Sequence, residues 1–251
     1  MKNYLLLLIA IIALGGPLTA QPAALTLEQI WASGDLFPKS VPGFNFLQDG
    51  RHYTRLENNR INQYDLTSGA LVATLLNPAA IEVSEGTELN IDSYTFSDDE
   101  RRLLLAVEEE PVYRRSSLAY YYVYDRDAET LTAVFDRNKG KLQYAAFNPA
   151  GDKVAFAFEN DLYYQDLNSG AVVRITTDGK QNEIINGTTD WVYEEELSFV
   201  KAFEWSPDGR RIAYYRFDER EVPEFTMTNY HDELYPEYVT FKYPKVGEQN
   251  A

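Results

Sequence analysis

Apolar residues in this chain come in short clusters separated by polar turns rich in Asp, Gly, Pro and Ser, a pattern that predicts β-strands joined by tight connections. One turn recurs. Phe96-Ser97-Asp98-Asp99-Glu100-Arg101-Arg102-Leu103, Phe147-Asn148-Pro149-Ala150-Gly151-Asp152-Lys153-Val154 and Trp205-Ser206-Pro207-Asp208-Gly209-Arg210-Arg211-Ile212 share an aromatic residue, a polar turn, basic residues and an aliphatic residue seven places after the aromatic. Phe46-Leu47-Gln48-Asp49-Gly50-Arg51-His52-Tyr53 is a fainter copy, and the aromatics at 46, 96, 147 and 205 are 50, 51 and 58 residues apart. Each unit predicts a hairpin whose second strand is an apolar run, as in Leu103 to Val107, Val154 to Phe158 and Ile212 to Phe217.

A second motif lies between these turns. Tyr64-Asp65-Leu66-Thr67-Ser68-Gly69 and Tyr164-Gln165-Asp166-Leu167-Asn168-Ser169-Gly170, with the partial copy Tyr122-Val123-Tyr124-Asp125, predict a further strand, turn and strand, the last running over Ala70 to Leu76 and Ala171 to Thr176. Two hairpins per period of about 50 residues make four strands per unit, the blade of a β-propeller. Immunoglobulin-like sandwiches need roughly 100 residues per unit. The expected fold is therefore all-β, with about four blades in the chain, and Leu103 to Val107 reads as an inner strand buried on both faces.

Composition narrows the chemistry. The 251 residues are 45% apolar and 14% aromatic and include no cysteine, which excludes disulfide frameworks, Cys-ligated zinc, iron–sulfur clusters and thiol catalysis. His52 and His231 are the two histidines, too few for a self-contained histidine metal site, and the expectation is no metal and no cofactor. The net charge of −16 gives a field that repels phosphate backbones and anionic lipid, so nucleic acid is not an expected partner.

At the amino terminus, Met1-Lys2-Asn3 precedes the unbroken apolar run Leu5 to Leu14, and Gly15-Gly16-Pro17 ends it before Thr19-Ala20-Gln21. This reads as a secretory signal peptide over residues 1–20, cleaved after Ala20. Ten apolar residues fall short of the roughly 20 needed to cross a bilayer, so no stable membrane span is expected. The protein would be periplasmic or secreted, with residues 21–251 forming a partial propeller.

No Gly-x-Ser-x-Gly elbow, His-Glu-x-x-His helix, Walker loop or Gly-x-Gly-x-x-Gly turn occurs in the sequence, so no catalytic nucleophile is identified. Asp190-Trp191-Val192-Tyr193-Glu194-Glu195-Glu196-Leu197-Ser198-Phe199 sets three consecutive carboxylates among large aromatics. On a strand Glu195 and Glu196 would face opposite ways, so a shared ligand requires a helical turn or loop. Two carboxylates turned toward one cleft repel unless a cation arrives, and an ammonium group with three donors suits them. The competing reading is a solvated helix start whose acids favour the helix dipole. Tyr113-Arg114-Arg115-Ser116-Ser117 supplies arginines that either bind a peptide carbonyl or carboxylate or pair with neighbouring acids.

The string Asp190-Trp191-Val192-Tyr193-Glu194-Glu195-Glu196, followed by Trp205-Ser206-Pro207-Asp208-Gly209, resembles the amino-terminal propeller of the dipeptidyl peptidase IV family of prolyl oligopeptidase-type serine peptidases and its bacterial members. Tyr113-Arg114-Arg115-Ser116-Ser117, Tyr122-Val123-Tyr124-Asp125, Gly187-Thr188-Thr189 and Tyr243-Pro244-Lys245-Val246-Gly247 extend the resemblance over roughly residues 25–251. It implies an eight-bladed propeller covering an α/β-hydrolase domain and an exopeptidase that releases Xaa-Pro or Xaa-Ala dipeptides. By position it assigns Glu195 and Glu196 to the substrate ammonium and Arg114, or the adjacent Arg115, to the substrate carbonyl. The family's serine, aspartate and histidine lie downstream of every matched position. The expectation is thus the leading part of a longer enzyme, cut before its hydrolase domain and inactive alone. Its partners would be peptides with a free amino terminus, and the whole protein would be a homodimer. Two other readings stand beside it: a non-enzymatic propeller that binds peptides or proteins, and a scaffold whose glutamates are solvated.

Overall fold

The aromatic turns repeat in three dimensions as they do in sequence. In each, the residue after the aromatic donates its N–H to the carbonyl five residues on: Leu47 to His52 at 3.0 Å, Ser97 to Arg102 at 2.9 Å, Asn148 to Lys153 at 2.9 Å and Ser206 to Arg211 at 2.8 Å. The fourth residue after the aromatic takes a left-handed backbone: Gly50, Gly151 and Gly209 have φ between 64° and 67°, and Glu100 adopts φ 57° in the same slot. Glycine adopts this conformation without steric cost. Glu100 is held there by a long-range contact, its carboxylate accepting the Gln48 N–H at 2.6 Å.

These turns come from a computed structural model that describes residues 25–81, apart from 35, 39 and 41, and residues 89–251. The expected signal peptide over 1–20 lies outside the described residues. The chain divides into two units, Met1–Pro42 and Gly43–Ala251. In the first, helix α1 (Leu27–Trp31) is started by a capping box, Thr26 Oγ1 accepting the Gln29 N–H and the Gln29 side chain accepting the Thr26 N–H.

The second unit is built from antiparallel sheets. Strands β1 (Asn45–Phe46), β2 (His52–Glu57), β3 (Arg60–Asp65) and β4 (Leu71–Leu76) form the first four-stranded meander. The second comprises β5 (Ile91–Phe96), β6 (Arg102–Pro111), β7 (Ser117–Asp125) and β8 (Thr130–Ala133). The third comprises β9 (Gln143–Phe147), β10 (Lys153–Phe158), β11 (Asp161–Asp166) and β12 (Val172–Arg174). The expected four-stranded unit is therefore present three times. Two-stranded pairs follow: β13 (Ile184–Asn186) with β16 (Arg216–Asp218), β14 (Phe203–Trp205) with β15 (Ile212–Tyr214), and the hairpin β17 (Glu224–Asn229) with β18 (Glu237–Lys242). Helix α2 (Trp191–Leu197) lies between β13 and β14.

The sheets bury their faces against one another, which explains the continuous apolar runs. Leu103, Leu105 and Val107 of β6 join Ile61 and Leu76 of the first sheet in one cluster. Leu104, on the other face of β6, joins Val154 and Phe156 of the third. Ala155 and Leu162 then meet Phe203 of β14. Residues 103–107 are all buried, as an inner strand covered on both faces requires.

One expected strand is divided. The apolar run Ile212 to Phe217 is two strands, because at Tyr215 the chain changes partner: its N–H donates to Ala202 O at 2.9 Å, while its carbonyl accepts the Gly187 N–H at 3.1 Å. Tyr214 is thus the last residue on β14 and Arg216 the first on β13. The expected strand Ala171 to Thr176 likewise stops at Arg174, since the Thr176 hydroxyl turns to Asp161 Oδ1 at 2.6 Å.

Candidate functional site

Helix α2 forms because Asp190 caps it, its carboxylate accepting the Tyr193 N–H at 2.9 Å. It ends where Ser198 turns to a left-handed φ of 54°. Its apolar anchors are Tyr193 and Phe199, which pack on Ile185, Ala202 and Phe217. With that face fixed, the three glutamates diverge around the helix. Glu194 is buried, Glu195 is partly covered with its side chain 14% exposed, and Glu196 is exposed. The sequence requirement that Glu195 and Glu196 share a helical turn is met.

The second component arrives from the second sheet. The β6–β7 hairpin continues beyond its buried section, pairing Glu110 with Leu118 and Pro111 with Ser117, and its tip over 112–116 is closed by the Val112 N–H on Ser116 O at 2.8 Å. Arg114 on this tip forms an ion pair with Glu195, Nε to Oε2 at 3.0 Å. Of the two adjacent arginines it is Arg114 whose side chain meets Glu195, while Arg115 contributes its backbone N–H to Glu194. Contact through Nε leaves both terminal Arg114 nitrogens, five N–H donors in all less one, able to reach a carbonyl oxygen.

Glu194 is the residue whose place the sequence leaves unassigned. One of its oxygens accepts the backbone N–H of Arg115 and of Ser116, each at 2.8 Å. It also lines a cavity of about 390 Å³ with Tyr113, Tyr144, Asp190 and Glu219, which neither Glu195 nor Glu196 lines. Glu219 is 7% exposed, and burial, then the Asp190 charge, push its carboxyl up to about 7 against a partial offset from Lys242. Burial also raises Asp190. The Tyr113 phenol is raised by burial and by the charges of Glu219 and Glu194. In sequence Glu219 sits in the mixed-charge stretch Asp218-Glu219-Arg220-Glu221, which reads as solvated and carries no signal of burial.

The Glu219 environment has a pH signature. Between its ordinary value of 4.5 and about 7 the folded chain holds a proton that the unfolded chain has released, so this group's contribution to stability falls as pH rises through that window. Above it the burial penalty is fully present, roughly 3 kcal/mol. Glu219→Gln is expected to stabilise the chain by that amount at pH 8 and by much less at pH 4.5, read from urea unfolding midpoints at the two values. Equal midpoint shifts at both would contradict it.

The histidines have structural surroundings. His52 Nδ1 meets Asp49 Oδ2 at 2.5 Å within the first aromatic turn, a bond that, with the Arg51 and His52 N–H groups, lowers the Asp49 carboxyl to about 2. The His231 ring lies at an exposed bend near the Glu233 N–H, at 3.4 Å. Among the described residues, no helix is long and apolar enough to cross a membrane and no group of three acidic or imidazole side chains is placed to hold a metal.

Comparison with known proteins identifies the family. The model of the dipeptidyl peptidase IV (DPP IV) N-terminal region matches residues 97–251. Prolyl endopeptidase FAP of Bos taurus is 31% identical over 234 residues, 90% of this chain and 29% of that protein. Dipeptidyl peptidase 4 of Sus scrofa is 34% identical over 208 residues, 82% of this chain and 26% of that protein. The crystal structure of Porphyromonas gingivalis dipeptidyl peptidase 4 superposes with a TM-score of 0.83 at 35% identity, over 91% of this chain and 32% of that one. The chain therefore spans about a third or less of the length of these relatives. With its stacked antiparallel sheets and the match over residues 97–251, the chain belongs to the dipeptidyl peptidase IV N-terminal region family and has that family's all-β propeller fold.

Proposed function

We propose that this chain is the substrate-reading, amino-terminal propeller region of an exported serine-type dipeptidyl peptidase that releases Xaa-Pro or Xaa-Ala dipeptides, with Glu195 and Glu196 holding the free amine and Arg114 a peptide carbonyl. The observation that carries this reading is the convergence of α2 and the β6–β7 tip, which sets Arg114 against Glu195 at 3.0 Å, with Glu196 the next residue of the helix. A hydrolase triad attacks almost any acyl bond presented to it, so exopeptidase behaviour has to come from positioning. Two fixed carboxylates that grip the ammonium group measure one dipeptide to the scissile bond. A blocked amine would leave them without a cationic partner, which disfavours that substrate strongly.

The nucleophile, its histidine and its aspartate are proposed to lie in a downstream hydrolase domain of the whole protein. The test compares a free-amine Xaa-Pro chromogenic substrate with its N-acetyl form. The whole protein is expected to cleave the first and spare the second, and the 251-residue chain to cleave neither. Turnover by the purified chain, or equal cleavage of both substrates by the whole protein, would overturn the reading.

Export and self-association belong to the same proposal. The basic start and apolar run over 1–20 support cleavage after Ala20 and a periplasmic or secreted location. The β17–β18 hairpin supports a homodimer of the whole protein, because Tyr230, Leu234, Tyr235 and Tyr238 are 70% or more exposed at and beside its tip, an apolar surface of the kind that marks protein contacts. Amino-terminal sequencing that begins at Gln21 and a sedimentation mass of two chains are the expected results. An uncleaved start or a monomer mass would remove the corresponding part.

A further inference from the structure

The loop that carries Arg114 has few restraints of its own. Its tip is closed by the Val112–Ser116 backbone bond, and the Arg114 side chain is 72% exposed, so packing does not fix where its guanidinium stands. Besides the Arg114–Glu195 pair, what ties the tip to α2 is Glu194, from a segment 79 residues away in sequence. Its buried carboxylate meets two successive N–H groups, those of Arg115 and Ser116, at 2.8 Å each. A charged acceptor shared by consecutive backbone donors fixes the direction of that peptide as well as its distance. Glu194 is itself rigidly placed, one position before Glu195 on a helix held by the Asp190 cap and by Tyr193.

We propose that Glu194 is the positioning residue of the amine site: through the Arg115 and Ser116 N–H groups it locks the β6–β7 tip to α2 and so sets Arg114 against Glu195. This rests on the function proposed above and gives the first glutamate of the run a task distinct from that of the other two. The Glu194 oxygen is engaged by the loop backbone at 2.8 Å on both N–H groups. It acts through the loop, where a displacement of an ångström is enough to separate Arg114 from its partner.

The experiment is a double-mutant cycle in the whole protein on a free-amine Xaa-Pro substrate. Glu194→Ala is expected to lower kcat/KM by about tenfold or more when Arg114 is present and by less than about twofold in an Arg114→Ala background. Glu194→Gln keeps a carbonyl oxygen for both N–H groups and is expected to stay within about threefold of the parent. Should Glu194→Ala not fold, Glu194→Asp, which withdraws the acceptor by about 1.5 Å, is taken through the same cycle with the same expected non-additivity. Equal losses with and without Arg114, the mark of a merely structural role, would overturn the proposal, as would parental kcat/KM in Glu194→Ala or Glu194→Asp. If Arg114→Ala and Glu195→Gln themselves leave kcat/KM unchanged, the amine site falls and this inference with it. If they lower it while the cycle is additive, the role of Glu194 alone is refuted.

Discussion

Replacing Glu195 and Glu196 together by glutamine in the whole protein is expected to lower kcat/KM on a free-amine Xaa-Pro substrate by about 10²–10⁴, since two charge-assisted hydrogen bonds of roughly 1.5–3 kcal/mol each are lost. The substitutions are nearly isosteric, and neither side chain contributes to the cluster of Tyr193, Phe199, Ile185, Ala202 and Phe217 that holds α2. The helix and its cap therefore stay in place, and the unfolding midpoint is expected to move little. What changes is the field. Arg114 loses its anionic partner at 3.0 Å and the arriving ammonium group meets a guanidinium without compensation. Discrimination between free and acetylated substrate should collapse along with the rate. Steady-state kinetics on the two substrates measure both effects, and a double variant within threefold of the parent would remove these carboxylates from recognition.

Asp161→Ala is expected to destabilise the 251-residue chain by about 3–5 kcal/mol, because a fully buried acceptor of several hydrogen bonds is removed and each buried donor left without it costs about 1–3 kcal/mol. Asp161 is fully buried at the start of β11 and saturated with donors. Its Oδ1 accepts from Thr176 Oγ1 at 2.6 Å, the Gly179 N–H at 3.0 Å and Asn186 Nδ2 at 3.2 Å, and its Oδ2 pairs with the Arg174 guanidinium. Removal takes one of two acceptors from Asn186 Nδ2, at the end of β13, leaving it Asp178 Oδ1 at 2.9 Å, and frees the turn at Gly179, where any Cβ would stand 2.4 Å from Asn160 O. Asp161→Asn retains an acceptor oxygen but gives up the Arg174 ion pair, so a smaller loss of about 1–2 kcal/mol is expected. At about 2–4 °C per kcal/mol for a chain of this size, thermal unfolding separates the two variants. A loss below about 1 kcal/mol for Asp161→Ala would show that the network does not join the third sheet to β13.

The four-stranded unit was legible because each blade repeats its own turn chemistry. Asp65 and Asp166 do the same thing 101 positions apart, each accepting the N–H groups two and three residues on, and the Asp-x-x-Ser-Gly spacing announces it. The buried run 103–107 was equally plain, since both of its faces are covered. The partner change at Tyr215 was not: Ile212 to Phe217 keeps a strand-like composition across it, and a hydrogen bond passed from Ala202 to Gly187 leaves no mark on side-chain pattern. The same limit applies at the site. A ligand shared by Glu195 and Glu196 required a helical turn or loop there, but whether Glu194 faces water or the β6–β7 tip depends on a contact 79 residues away. Glu219 was hidden for the same reason: it is 7% exposed although its neighbours in sequence are charged.

The aromatic turns touch in succession. Gln48 of the first donates to Asp98 O and Glu100 of the second. Arg102, closing the second, donates to Gly151 O of the third at 2.5 Å, and Gly151 lies so near Ser97 that a Cβ would come within 3.1 Å of it. Gly209 of the fourth stands as near Asn148. Such a chain of contacts works as an index: it fixes the angular step from one sheet to the next at a single place on each sheet and leaves the length of the remaining connections free. The intervals of 50, 51 and 58 residues follow from this, the surplus of the last falling in the segment that bears α2. A helix such as α2 can thus be inserted, lengthened or exchanged between two indexed sheets without retuning the ring, which separates the side chains it presents from how the sheets are held.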